Sequence, residues 1–278
     1  MYEPKNFPIL DSTSALIDNM KFSVAYKNER LSSVSPGLDP IHIHGFTEIF
    51  LNINADVSFL VENRLYPLSR GDVIVSAAGS THVCVFESDA VHEYVCLWID
   101  ADISSPLLDF ITREGFSPLI SLGEATDRFV QLIHDLDVSA SDPALELTRA
   151  ASLLGILSIL SSASGIEASE PQLPRALQSV LDDIHENCTQ IKSVNDIISR
   201  HFISGATLNR YFRKYIRLSP REYLESQKLS YATKLLLAGE SVTDCCMHAG
   251  FSDCSHFISL FKKKFGTTPL KYKRIARL

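Results

Sequence analysis

The chain has 278 residues, with 26 Lys+Arg against 33 Asp+Glu and a formal net charge of -7. That length can hold two domains, each with its own core. No secretory leader pattern and no 18-residue apolar run is read, since 150–163 is short and broken by serines, so a soluble, cytoplasmic protein without membrane contact is expected. The six cysteines lack CxxC spacing and fit a reducing compartment better than a disulfide framework.

Charge is unevenly placed. Residues 172–278 carry 17 Lys+Arg against 9 Asp+Glu, about +8, while residues 1–171 carry 9 against 24, about -15. A basic part can lie on phosphate and an acidic part should avoid it. The small, polar run from Ser162 to Gln172 is the expected join, giving domains at 1–165 and 174–278 with a linker at 166–173.

In chain order, residues 22–26, 41–53, 57–62, 73–77, 83–87 and 91–99 read as short β segments, rich in β-branched and aromatic residues and separated by turn residues. A small sandwich or barrel follows. Within it lie His42, His44 and Glu48, then Gly71 and Asp72, then Gly79 and His82. On a regular strand His42, His44 and Glu48 share a face, because the side-chain period is two. Three imidazoles and a carboxylate can hold a divalent metal such as Zn, Fe or Mn. This pattern resembles the two motifs of a cupin barrel. It departs at Ala77, where proline is usual, at Ala55, where glycine is usual, and at Phe86, where metal cupins have Asn. The alternative to a metal set is an organic-effector pocket lined by His42, His44, Glu48, His82 and Trp98, or a purely structural cluster.

From 104 to 162 the period becomes helical. Phe129, Leu132, Ile133 and Leu136 make one stripe, and 145–160 is apolar around most of its circumference and must be covered. A homodimer through helices between about 124 and 162 would supply part of that cover; intramolecular core is the alternative.

The most informative stretch is Ser241 to Tyr272. Ser241 with Asp244 starts a helix, Val242, Cys246 and Ala249 share a face, Gly250 ends it, and Ser252 can cap the next helix. Phe257, Phe261 and Phe265 form the buried stripe of that second helix, backed by Lys262, Lys263 and Lys264. This is the pattern of a helix-turn-helix. It occurs twice: Val194, Asp196, Leu208, Phe212, Pro220 and Tyr223 repeat Val242, Asp244, Phe257, Phe261, Pro269 and Tyr272. His201, Phe202 and Ile203 stand in the first turn where Ala249, Gly250 and Phe251 stand in the second. Two copies with matching exits are a far stronger signal than one.

These residues resemble the AraC/XylS family of transcription regulators. The resemblance implies helix-turn-helix units at about 193–216 and 241–266, joined by one helix at 220–238 and reading adjacent major grooves of double-stranded DNA. Ser219, Pro220 and Glu222 start that helix and Gly239 stops it; roughly 27 Å is a suitable strut for units one DNA turn apart. In the first unit Ser204 caps a helix over 205–215. Leu208, Tyr211, Phe212 and Tyr215 point inward, and Ala206, Thr207, Asn209, Arg210, Arg213 and Lys214 outward. The resemblance assigns base reading to Ala206, Asn209 and Arg210, a bidentate guanine or adenine contact being worth about 1 to 3 kcal/mol. In the second unit Cys254, Ser255, Ile258 and Ser259 occupy the exposed early turns. Base readout there is expected to be weaker, with Lys262 and Lys263 mainly holding phosphates.

Cys245 and Cys246 diverge by about 100° on a helix. With Cys254 they read as buried small hydrophobes rather than a redox switch. His185, His201, His248 and His256 lack ligand spacing.

The expected fold class is α+β multidomain: an N-terminal cupin-like β-barrel with trailing helices, and a C-terminal all-α domain with two helix-turn-helix units. The expected function is a sequence-specific regulator under a small-molecule effector, by family habit a sugar, meeting RNA polymerase if it activates. Two alternatives stand beside it. One is a metal-dependent cupin enzyme or metal sensor fused to a DNA-binding domain, although a duplicated helix-turn-helix has no job in catalysis. The other is a regulator controlled by partner proteins or metal alone, which an apolar, blocked barrel interior would favour.

Overall fold

A computed structural model describes residues 12–14, 20–31, 43–86, 88–100, 105–136, 143–163, 173–216 and 218–275. The expected linker at 166–173 and His42 fall almost wholly or wholly outside them.

Among the described residues nine strands form two antiparallel sheets. The six-stranded sheet runs β1 (Ser12–Ser14), β2 (Met20–Leu31), β8 (Ala90–Asp100), β3 (Thr47–Asn54), β6 (Asp72–Ser76) and β9 (Leu119–Ser121). The three-stranded sheet runs β5 (Arg64–Leu68), β4 (Val57–Val61) and β7 (His82–Phe86). Among the described residues no ladder joins the two sheets, so the strands pack as a sandwich, one of the two forms expected, and the cupin-like barrel is not closed. The β5 strand, absent from the sequence reading, carries Pro67 on a sheet edge, where a missing N–H costs no ladder bond.

Strand alternation sorts the side chains into layers. Ile49 and Leu51 of β3, Val73 and Val75 of β6, and Val95, Leu97 and Ile99 of β8 face one way, where α1 (Thr126–Leu136) and α2 (Pro143–Ser162) cover them. The alternate residues Phe50, Ile74, Tyr94 and Cys96 face the other sheet and meet Val57, Phe59, Tyr66 and Phe86. Phe50 lies 4.9 Å from Phe59 and 4.8 Å from Tyr94 between ring centroids. The space between the sheets is thus filled by aromatic rings.

The α2 helix corrects the reading that no 18-residue apolar run exists. Its window Leu145–Ser162 has a mean hydropathy of 1.3 and would span a membrane by length and composition alone. In the fold Leu153, Ile156, Leu157 and Leu160 of this helix are core residues against the sheet and α1, whereas Leu147 and Leu154, two turns apart, are exposed.

The C-terminal part is all helical: α3 (Arg175–Asn187), α4 (Val194–His201), α5 (Gly205–Tyr211), α6 (Pro220–Leu237), α7 (Val242–His248), α8 (Cys254–Phe265) and α9 (Pro269–Ile275). The helix expected over 205–215 is regular only to Tyr211 and then widens into a π-helical turn at Phe212–Ile216. The long helix starts where Ser219 and Glu222 form a reciprocal capping box, with Pro220 in its first turn. Gly239 follows its end with φ 100°. The α8 cap is Asp253, whose side chain accepts from Ser255 N, and not Ser252.

The two halves share packing. The outer face of the smaller sheet, Leu60, Leu65, Val83 and Val85, joins one core with Leu177, Leu181, Ile184, Leu208, Phe212 and Tyr223. Ile43 joins a second core with Leu229, Leu236, Cys246, Phe257 and Phe261.

Candidate functional site

The first helix-turn-helix is α4 with α5. Ser193 and Asp196 form a capping box at α4, and Ser204 caps α5 by accepting from Thr207 N at 3.1 Å. Leu208 and Phe212 are fully buried, which turns Ser204, Ala206, Asn209, Arg210, Arg213 and Lys214 outward into solvent; Thr207 is half-buried. Asn209 donates to Gly205 O at 2.8 Å, a contact that must open before the amide can pair with a base. The Arg210 guanidinium lies 5.7 Å from the Tyr211 ring, and the Lys214 ammonium 4.8 Å from the Tyr215 ring. These rings support the cations' aliphatic stems and leave the charged heads outermost.

In the second unit, α7 with α8, Phe257 and Phe261 fill the core, while Ser255, Ile258, Ser259, Lys262 and Lys263 are exposed. Cys254 departs from expectation. It is partly exposed and its sulfur is bonded to that of Cys246, so the thiol is tied up in the protein and neither cysteine is the simple buried hydrophobe expected. The turn is tight: a Cβ on Gly250 (φ 77°) would overlap the Thr189 carbonyl. In the first unit the left-handed turn residue is Phe202 (φ 50°), 97% exposed.

The long α6 helix is more than a strut. Lys228, almost fully buried on it, donates to Gly250 O at 2.7 Å and so holds the second unit's turn. Burial lowers the Lys228 pKa below the ordinary lysine value, against the opposing charges of Cys188, Glu225 and Asp196. On its other side Tyr223 OH donates to Glu62 O at 2.7 Å, Gln227 Nε2 to Thr81 Oγ1 at 2.8 Å, and Ser230 Oγ to Gly79 O at 2.7 Å. These three residues, spaced i, i+4, i+7, lie along one face. They dock the helix on two turns of the β domain. Sequence reasoning missed this seam; its one signal was that 220–237 lacks a clean apolar stripe, because polar Ser226, Gln227, Ser230 and Thr233 are buried. Glu62 itself is held in the left-handed region at φ 54°, and its carboxylate accepts from Thr81 N and Oγ1 and pairs with His185.

The histidine–glutamate cluster stands directly behind the Gly79–His82 turn. His44 and Glu48 do not share one regular strand as expected, because β3 begins only at Thr47 and the chain bends at Gly45 and Phe46. The bend still brings them together. His44 Nε2 lies 3.2 Å and His82 Nε2 3.5 Å from Glu48 Oε2, which also accepts from Trp98 Nε1 at 2.9 Å. Glu48 and Trp98 face each other across β3 and β8. One ligand atom from each of His44, Glu48 and His82 fits within a 4.8 Å span, and all three residues are buried. The far ring nitrogens contact backbone carbonyls: His44 Nδ1 is 2.7 Å from Phe46 O and His82 Nδ1 is 3.2 Å from Ser80 O. A carbonyl only accepts, so Nδ1 carries the proton. That sets both Nε2 atoms against an oxygen that also only accepts, an arrangement that needs a proton or a cation between them. Trp98 is committed to Glu48 by its indole N–H. The charge on Glu48 adds to burial in pushing the Cys84 and Cys96 thiols well above their ordinary range.

The four histidines without ligand spacing each face one carboxylate: His185 with Glu62, His201 with Asp183, His248 with Glu240, and His256 with Glu225.

A family model described as a helix-turn-helix domain matches residues 199–275. The chain is 23% identical over 241 residues to the HTH-type transcriptional activator RhaR of Mannheimia succiniciproducens, covering 84% of this chain and 87% of that one. It is 40% identical over 76 residues to the HTH-type transcriptional activator RhaS of Escherichia coli O157:H7, 27% of each chain. Among solved structures, ToxT from Vibrio cholerae O395 aligns over 92% of this chain and 98% of that chain, at 14% identity and a TM-score of 0.39.

Proposed function

Because the chain belongs to the AraC family of helix-turn-helix DNA-binding transcription regulators, we propose that it reads a bipartite operator with its two units and is controlled through the His44–Glu48–His82 cluster. The first unit carries most of the base reading, through Ala206, Asn209 and Arg210. The second, through Ser255, Ile258, Ser259, Lys262 and Lys263, mainly holds the backbone. The repeated units on one rigid helix support this reading.

The cluster is the proposed sensor in a cupin-like domain. Aromatic rings fill the space between the sheets, which disfavours a large organic effector there and favours a small occupant at the cluster. The observation that carries this is the pair of imidazole Nε2 atoms facing a single carboxylate oxygen. The residues fit a divalent cation, held by His44, Glu48 and His82, with His42 as a candidate fourth ligand; its charge would satisfy all three acceptors at once. A sugar is the proposed organic alternative and would have to meet the same polar end. Either occupant differs in affinity between two placements of the Gly79–His82 turn, and α6 rests on that turn through Gln227 and Ser230. Catalysis is not part of the proposal, since the relatives are transcription regulators.

Two further parts complete the reading. The exposed Leu147 and Leu154 on α2 support a homodimer through that face, and an activating form would meet RNA polymerase. The test of the sensor is elemental mass spectrometry of tag-free protein with His44→Ala as control. Near-stoichiometric Zn, Fe or Mn, lost in the variant, supports the cation. Its absence from both hands the cluster to an organic effector, which a thermal-shift screen of sugars would then find.

A further inference from the structure

The DNA-binding reading leaves the cysteines of the second unit unused. Cys246 lies on α7 with no exposed surface, while Cys254, the first residue of α8, is partly exposed. Their sulfurs are joined across eight positions of sequence that include the Gly250 turn, and their Cα atoms are 5.7 Å apart. That spacing sits within the about 4.4 to 6.8 Å that a disulfide spans without backbone movement. The remaining cysteines Cys84, Cys96, Cys188 and Cys245 are free, and burial pushes the neighbouring Cys245 thiol up to about 11. Cys254 differs from all of these in its position, and shares partial exposure with Cys84 alone. It begins a twelve-residue helix, where the backbone amides favour a thiolate, and it reaches solvent. Cys246 stands across the turn from it, with its sulfur bonded to that of Cys254.

We propose that Cys254 and Cys246 form a reversible oxidation site, addressed by a hydroperoxide, which staples the second helix-turn-helix unit. The Cys254 thiolate attacks the terminal peroxide oxygen and the O–O bond breaks. The departing oxygen takes a proton as water or alcohol, and Cys254 becomes a sulfenic acid. The Cys246 sulfur then attacks Cys254 sulfur, the S–O bond breaks, and the leaving hydroxide takes the Cys246 proton as water. Two thiols and one hydroperoxide thus give one disulfide, one water and one molecule of water or alcohol; a dithiol reduces the bond again. The bond closes a short loop over the α7–α8 turn. It restricts the unfolded unit while fitting the folded one, so the unit opens less often.

The full-length chain is treated with hydrogen peroxide, quenched with catalase and compared with a dithiothreitol-treated sample. Expected are a mass loss of about 2 Da for the two hydrogens removed and a Cys246–Cys254 linked peptide in a non-reducing digest. Melting should rise by roughly 5 °C and amide exchange in α8 should slow, both reversed by dithiothreitol. Cys254→Ser loses the peptide and the shift, whereas Cys245→Ala keeps both. A digest in which Cys246 stays reduced while Cys254 is over-oxidised overturns the proposal. So does a melting shift that persists in Cys254→Ser. The peptide map of the unaltered chain decides the matter even where a variant fails to fold.

Discussion

Gln227 on the helix that joins the two DNA-reading units donates its side-chain amide to the Thr81 hydroxyl at 2.8 Å, with both residues buried. Thr81 immediately precedes His82 of the proposed sensor cluster, so one hydrogen bond separates the cluster's backbone from the helix between the two helix-turn-helix units. Replacing Gln227 by Leu removes a buried bond and should lower stability by about 1 to 2 kcal/mol in urea unfolding. It should also weaken the dependence of operator affinity on the cluster's occupant. An occupant effect of unchanged size would sink the proposed route through α6.

The two turn residues make opposite predictions. Gly250→Ala places a Cβ against the Thr189 carbonyl at φ 77°, and should cost about 2 kcal/mol or more. Phe202→Gly relieves a left-handed aromatic that buries almost nothing, and should stabilise by about 0.5 to 1 kcal/mol. Chemical denaturation of both variants checks the pair; a destabilised Phe202→Gly would mean that the exposed ring has a contact in the folded chain.

Under the proposed function the exposed cations divide by role. Arg210→Ala should lose about 1 to 3 kcal/mol on the specific operator and relax the preference at one base pair. Lys263→Ala should weaken all sequences alike and flatten the salt slope by about one unit. Fluorescence anisotropy on operator and random duplexes reads both; equal loss of Arg210→Ala on the two duplexes contradicts its assignment as a base reader.

Acid should loosen the first unit. Burial pushes the Asp183 carboxyl up, but hydrogen bonds from His201 and Asn187 and the charge of Arg200 outweigh it, leaving the pKa below the ordinary 3.8. Glu222 is likewise lowered, its burial being outweighed by Ser219 and by the charges of Lys264 and Lys263. A carboxylate with a depressed folded pKa contributes stability that is present above its unfolded value and lost as pH falls through the folded one. Melting temperature should therefore fall as pH drops below about 4, and Asp183→Asn should reduce that slope.

Much of this was legible in the sequence where local chemistry decides structure. Ser219 with Glu222 and Ser241 with Asp244 mark helix starts without reference to anything distant, and the aromatic spacing Phe257, Phe261, Phe265 fixes a face. His44, Glu48 and His82 were legible as a set, yet their geometry was not, because the bend at Gly45 and Phe46 replaces the regular strand assumed for His44 and Glu48. Least legible were the long-range relations. The polar seam of Tyr223, Gln227 and Ser230 looks like a solvated helix face until the β domain is laid on it. The meeting of Cys246 with Cys254 depends on how tightly the Gly250 turn folds α8 back on α7.

The most direct test of the central claim is a hydroxyl-radical footprint on duplexes selected from random DNA by the full-length chain. The account predicts two protected tracts on one face of the duplex, about one helical turn apart, with the stronger sequence preference in the tract that changes when Arg210 is altered. A single protected tract, or selection that recovers no preferred sequence, would contradict it.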